Sequence, residues 1–319
     1  MRQNSRLIYF VITILLVLFI TRCGREVLIE SPLGIPVNLT SVSPIPPSLN
    51  GHILFHSNNS GDFDIYVINA NGTGMRRLTS TSGDDIEASW SPDGQKIAFT
   101  SQRDGNYEIY IMNTDGSEQQ RLTRDPATDW GPTWSPDSKK IVFASDRNGQ
   151  MNLFMMNADG SDQRPLLTNF GSKAWAPAWS PVGEEIAFVS DVDGDSELFL
   201  LQIESNTVLQ LTFNERRDDR PSWSPDGSQI VYMGAKADTS LFDPDEIYII
   251  PRLGGTPRQL TDNLIGDILP CWSPDGEWIA FSSSRNGGWN IMVIQVSNPS
   301  NEMMLTFNSA WNRDPSWGP

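Results

Sequence analysis

Apolar positions along this chain come in short runs of about five residues, bounded by Gly, Pro, Asn or Asp, and beyond residues 7–20 none repeats with a helical period. Lys96-Ile97-Ala98-Phe99-Thr100 and Glu108-Ile109-Tyr110-Ile111-Met112 are typical, being β-branched, aromatic and of strand length. Ser91-Pro92-Asp93-Gly94 precedes the first, Ser101-Gln102-Arg103-Asp104-Gly105 separates the two, and Asn113-Thr114-Asp115-Gly116 follows. Each of these segments carries turn chemistry, with φ set at Pro and a positive φ open at Gly. A short run ending at Trp90 and another at Gln120-Arg121-Leu122-Thr123 complete a unit of four antiparallel strands.

The unit recurs. Trp-Ser-Pro stands at Trp90, Trp134, Trp179, Trp223 and Trp272, and ends as Trp317-Gly318-Pro319, with spacings of 44, 45, 44, 49 and 45. Four strands in about 44 residues is the period of a propeller blade. The Ile-x-Phe run occurs six times, from Ile53-Leu54-Phe55 to Ile279-Ala280-Phe281. The Trp run also occurs six times but is offset: the first repeat begins without one, and the chain stops two residues after the last. The predicted fold is therefore all-β, a six-bladed propeller of four-stranded antiparallel blades. Its ring is closed by the C-terminal strand around Trp317, which pairs beside Ile53 in the first blade and leaves no open edge.

Trp-Ser-Pro-Asp-Gly, Ile-Ala-Phe, Ser-x-Arg-x-Gly, Ile-Tyr-x-Met-Asn and Arg-Leu-Thr together resemble the repeat of the TolB-type propeller family over residues 51–319. Related repeats form the propeller of the prolyl oligopeptidase group. The resemblance implies the fold and, more loosely, a protein-binding scaffold of the cell envelope. TolB carries an α/β domain before its propeller and the oligopeptidases a hydrolase domain, so a free-standing propeller is expected here.

Before the repeats come two other zones. Arg2 and Arg6 precede the apolar run 7–20, which as a helix covers about 21 Å, short of the ~30 Å of a bilayer core. Residues 1–23 read as a signal peptide, a lipoprotein leader acylated at Cys23, or an uncleaved anchor. The positive flank places the remainder outside the cytoplasm, in the periplasm or beyond the cell. Residues 24–50 hold five prolines among Ser, Thr and Asn and read as an extended tether. The membrane is then met only through the N-terminus, and the propeller is expected to be monomeric.

The net charge of −16 excludes nucleic acid as a partner, since phosphate-binding surfaces concentrate Lys and Arg. Catalytic chemistry is hard to find. No Gly-x-Ser-x-Gly occurs, and His52 and His56 share one strand, about 13 Å apart at that spacing. Cys271 occupies a slot that other repeats fill with Ser, Thr or Ala, which suits an inert buried thiol. The stretch Asp191-Val192-Asp193-Gly194-Asp195 with Glu197 superficially resembles an oxygen-ligand loop, but its counterpart Asp146-Arg147-Asn148-Gly149 is plain turn chemistry. No metal, cofactor or catalytic residue is assigned.

Two rings of residues remain. Five positions before the Trp stand Asp85, Asp129, Ala174, Asp218, Asp267 and Asn312; thirteen after it, in the next loop on the same face, stand Arg103, Arg147, Val192, Lys236 and Arg285. Acid and base appear together and vanish together, which predicts the ion pairs Asp85–Arg103, Asp129–Arg147, Asp218–Lys236 and Asp267–Arg285 rather than a bare cation site. Four positions before the Trp stand Ile86, Trp130, Trp175, Asp219, Ile268 and Arg313, with Trp311 nearby. Ile86, Trp130, Trp175, Ile268 and Trp311 are the candidate surface for a protein or peptide partner at the channel mouth. Alternatives are a glycan-binding module, which needs the tryptophans exposed and coplanar, and a propeller-fold polysaccharide lyase, which needs clustered His, Arg or Lys. The loop 235–245 of the fifth blade is five residues longer than its counterparts.

Overall fold

The computed structural model describes residues 49–168, 170–236, 244–285 and 287–319. The leader, Cys23 and the tether up to residue 48 lie outside them, as do residues 237–243 of the longer loop.

Twenty-four strands, β1–β24 in chain order, form six four-stranded antiparallel sheets, and no helix occurs among the described residues. In blade 2 the order from the axis outward is β4 (Asp85–Trp90), β5 (Lys96–Ser101), β6 (Glu108–Asn113) and β7 (Gln120–Arg121). Blade 1 is closed by the far end of the chain: β24 (Asn312–Gly318) pairs antiparallel with β1 (His52–Ser57), with Ile53 opposite Trp317 and His52 opposite Gly318. The innermost strands are β4, β8 (Asp129–Trp134), β12 (Ala174–Trp179), β16 (Asp218–Trp223), β20 (Asp267–Trp272) and β24. They neighbour one another in that order, with β24 lying between β20 and β4.

The Trp-Ser-Pro turn is held by its own side chains. Ser91 Oγ donates to Asp93 Oδ1 at 2.6 Å and accepts from Lys96 N–H at 2.9 Å, while Asp93 Oδ1 also accepts from Gln95 N–H at 3.0 Å. Gly94 supplies the positive φ of 68°. The apolar runs are buried on both faces because each blade packs against the next. Phe55, Phe99, Phe143, Phe188 and Phe281 are at most 1% exposed, and each such burial stabilises the fold by about 1.5–3 kcal/mol. The core is accordingly a cycle of interblade clusters; Ile53, Phe55, Trp278, Ile291 and Trp317 share the one joining blade 6 to blade 1.

Each innermost strand breaks register at the same point, three residues before its Trp. There Glu87, Gly131, Ala176, Arg220, Leu269 and Asp314 take φ between 47° and 64°, and the ladder shifts beside each one. Five of the six are not glycine, so left-handed backbone is held at a cost of about 1–2 kcal/mol per residue. The next residue is Pro in five repeats and Ala88 in the other. A proline cannot donate to the ladder, which is why the strand bulges there.

Candidate functional site

The six bulges direct a ring of side chains at the channel waist. Glu87 of blade 2 and Arg220 of blade 5 face each other from opposite sides of the ring, with Arg220 Nη1 2.6 Å from Glu87 Oε1. The Glu87 side chain is 9% exposed and its Oε2 is buried with no hydrogen-bond partner. Burial works against the Arg220 charge, but the carboxylates of Glu87, Asp314 and Asp219 outweigh it and hold the guanidinium more firmly protonated than usual. Asp314 is pushed up to about 6, first by burial and then by Glu87, against the pull of Arg220 and Arg313.

Two cavities meet at this pair. One, of about 490 Å³, is a funnel lined by the six Trp-Ser-Pro turns. The other, of about 410 Å³, opens at the opposite mouth between Trp130 and Trp175, with Met151, Lys173, Asp191 and Asp219 around it. Glu87, Gly131, Ala176 and Arg220 line both, so the cross-channel pair stands between them.

Of the five candidate contact residues, the structure brings only Trp130 and Trp175 together in the second cavity, both half-buried. Ile268 is a correction: it is 7% exposed and belongs to a core cluster with Leu269, Trp272 and Met292, against which Trp289 packs. At that loop position the other repeats carry Phe63, Tyr107, Met151, Ser196 and Asp245, so Trp289 is the largest side chain there. It covers this blade top, so Ile268 offers no contact surface. Ile86 is half-buried and Trp311 is 48% exposed, and neither lines the cavity.

The acids five positions before each Trp are buried, at 0–3% exposure. Arg103 Nη2 donates to Asp85 Oδ1 and Oδ2 at 3.1 and 3.0 Å, Arg147 Nη2 to Asp129 Oδ2 at 2.7 Å, and Arg285 Nη2 to Asp267 Oδ2 at 2.6 Å. In each blade the serine ending the second strand (Ser101, Ser145, Ser283) accepts from the arginine Nε at 2.8–2.9 Å. The guanidinium also lies over the strand Phe, at 5.4 Å from the rings of Phe99 and Phe143 and 5.7 Å from Phe281. The repeated Ser-x-Arg is the visible sign of this clamp in the sequence.

Blade 5 departs from the pattern. Lys236 ion-pairs Asp262 in the neighbouring turn, while Asp218 Oδ2 accepts from Asn214 Nδ2 at 2.7 Å. Lysine has no Nε fork, and Gly234 replaces the serine that would anchor one. A Cβ at 234 would stand 2.6 Å from Asp218 Oδ1. Blade 4 adds a second imbalance beside it. In blade 2 the Asn106 amide donates to Glu108 Oε1 at 3.0 Å, and Arg121 Nη2 lies 2.6 Å from the same oxygen. In blade 4 those two positions are Asp195 and Gln210, and the carboxylates of Asp193, Asp195 and Glu197 come within 4.8 Å of one another. Burial pushes Asp218 up to about 8, with the Glu197 charge adding to it.

This fixes a sign. The folded pair of Asp218 and Glu197 keeps a proton to about pH 8, whereas an unfolded aspartic acid releases it near pH 4. The folded state holds the extra proton between those values, so stability falls as pH rises through that window. Asp218→Asn is expected to flatten that fall and to raise stability at pH 8 by more than about 1 kcal/mol. Urea unfolding at pH 5 and pH 8 measures both; an unchanged slope would contradict the assignment.

Two family models match the chain. One described as the Tricorn protease N-terminal beta propeller domain covers residues 46–166, and one described as the TolB beta propeller domain covers residues 161–242. A protein TolB homolog from Chlorobium luteolum is 43% identical over 49 residues, which is 15% of this chain and 11% of that protein, so the match spans about a tenth of the relative's length. The crystal structure of TolB from Acinetobacter baumannii superposes with a TM-score of 0.74 at 20% identity, over 86% of this chain and 68% of that one. A putative TolB from Agrobacterium tumefaciens gives 0.65 at 20% identity, over 85% of this chain and 99% of its own. At that identity the two structures establish the shared fold.

Proposed function

Because this chain is a β-propeller of the TolB type, we propose that it works as an exported, envelope-associated scaffold that binds a segment of a partner protein at one mouth of its channel. The observation that carries this reading is the cavity between Trp130 and Trp175. Two half-buried tryptophans on neighbouring blades, beside a waist already spanned by an ion pair, make an anchor pocket of the kind that dominates protein interfaces.

Binding rather than catalysis suits the candidate reactive groups. His52 sits at the exposed end of β1 with its ring against the Pro319 carbonyl at 2.8 Å. His56 is pushed down to about 3 by burial and by Arg313 and Arg220, so it stays neutral. Burial raises the Cys271 thiol to about 12, far from a thiolate nucleophile. The lyase reading asked for clustered bases, and here Lys173 and Arg220 are each ion-paired. The glycan reading asked for a common aromatic plane, and Trp311 stands apart from the cavity.

Capture from an envelope extract by the full-length chain tests the scaffold. The double variant Trp130→Ala, Trp175→Ala is expected to lose its partner, since removing anchors worth ~2 kcal/mol or more each weakens binding by well over tenfold. Capture unchanged by the double substitution would overturn the reading.

A further inference from the structure

The same pocket also has a charge preference. Glu87 is paired with Arg220 at 2.6 Å and Asp191 with Lys173 at 3.1 Å. Asp219 is the remaining charged residue of the lining, and among the described residues it has no ion-pair partner. Its Oδ1 accepts the Arg220 backbone N–H at 2.8 Å, a bond that fixes the carboxylate without neutralising it. Arg220 is no free counter-charge, because its single positive charge is shared among Glu87, Asp314 and Asp219. The lining therefore carries one uncompensated negative charge beside two indole walls.

This combination selects among ligands. An anion would meet Asp219 and two cations already engaged. A hard metal ion takes six to eight oxygens, and a single free carboxylate among Trp130, Trp175 and Met151 does not approach that. An organic cation gains from both features at once: the carboxylate pairs with its charge, and indole faces attract a cation within about 6 Å of the ring. Resting on the scaffold reading, we infer that the pocket takes one basic side chain, arginine or lysine, from the partner segment. Its stem lies between Trp130 and Trp175 and its charged head on Asp219. The chain's net charge of −16 favours approach of such a segment over an acidic one.

The test is titration of the full chain with the blocked tripeptide Ala-Arg-Ala and with its citrulline counterpart, which keeps the shape and three of the five N–H donors but loses the charge. The arginine peptide is expected to bind saturably below about 10 mM, at least tenfold more tightly than the citrulline peptide. Asp219→Asn keeps the oxygen that accepts Arg220 N–H and is expected to erase the difference. Equal binding of the two peptides, binding of neither, or discrimination that survives Asp219→Asn would each overturn the inference. If envelope capture still depends on Trp130 and Trp175 while the peptides are not told apart, the scaffold stands and the basic-side-chain reading alone falls.

Discussion

A chain stopped after Trp311 is expected to lose its cooperative unfolding transition and to aggregate. The deletion takes away β24, the innermost strand of blade 1, and with it the ladder in which Leu54 faces Ser316 and Ile53 faces Trp317. Trp317 is 8% exposed, sits in the blade 6–blade 1 cluster, and donates from Nε1 to the Asn50 carbonyl at 2.9 Å. Losing that side chain alone costs about 3–5 kcal/mol, against a total stability of about 5–15 kcal/mol. The deletion also bares the edge of β1, a strand buried along nearly all its length, and so offers a template for pairing between chains. A milder variant reaches the same seam. The Cβ of any residue at Gly318 would fall 2.4 Å from Trp90 Cδ1, so Gly318→Val must displace the next blade's tryptophan. Urea unfolding followed by circular dichroism, with size exclusion, reads both changes. A monomeric deletion variant with the full-length midpoint would show that closure does not hold the ring.

Arg220→Ala is expected to destabilise the protein by about 3 kcal/mol, the lower end of the range for breaking a buried pair. Its effect comes from what it leaves behind. Glu87 would keep a carboxylate that is nine-tenths buried, with Oε2 already unpartnered and Asp314 adding like charge at the waist. The lower end applies because the Arg220 side chain is itself 32% exposed beside the cavities, where solvent screens part of the loss. Replacing both partners together, Glu87→Leu with Arg220→Leu, is expected to recover most of the stability, since an apolar pair leaves no orphan charge. A double variant as unstable as Arg220→Ala would mean that the waist depends on the arginine's shape rather than on its charge.

Much of the architecture is legible without coordinates because it is local and repeated. Trp-Ser-Pro-Asp-Gly sets a turn through contacts within five residues, and six copies at nearly constant spacing imply six equivalent blades. The offset of the Trp strand even identifies the segment that closes the ring. The Asp and Arg eighteen residues apart in a blade also read as partners, because their joint loss in blade 4 is visible in the letters. Blade 5 shows the limit of that reasoning. Charge matching saw Lys236 as a base, whereas the clamp needs a planar fork, a serine at its root and an aromatic ring beneath it. Ile268 fails differently: its burial depends on Trp289, which lies on another loop.

Sequence alone determined the blade count, the closing strand, the turn chemistry and the existence of buried acid–base pairing, since each arises from contacts within one repeat or between identical repeats. The tertiary structure decided which tryptophans share a pocket, that Ile268 is core, and that Glu87 meets Arg220 across the channel. Those relations join residues of different repeats or different loops, and equivalence of position does not say which of them meet. The ring must close before opposite blades face each other, and only then does a carboxylate at one strained bulge find its guanidinium at another.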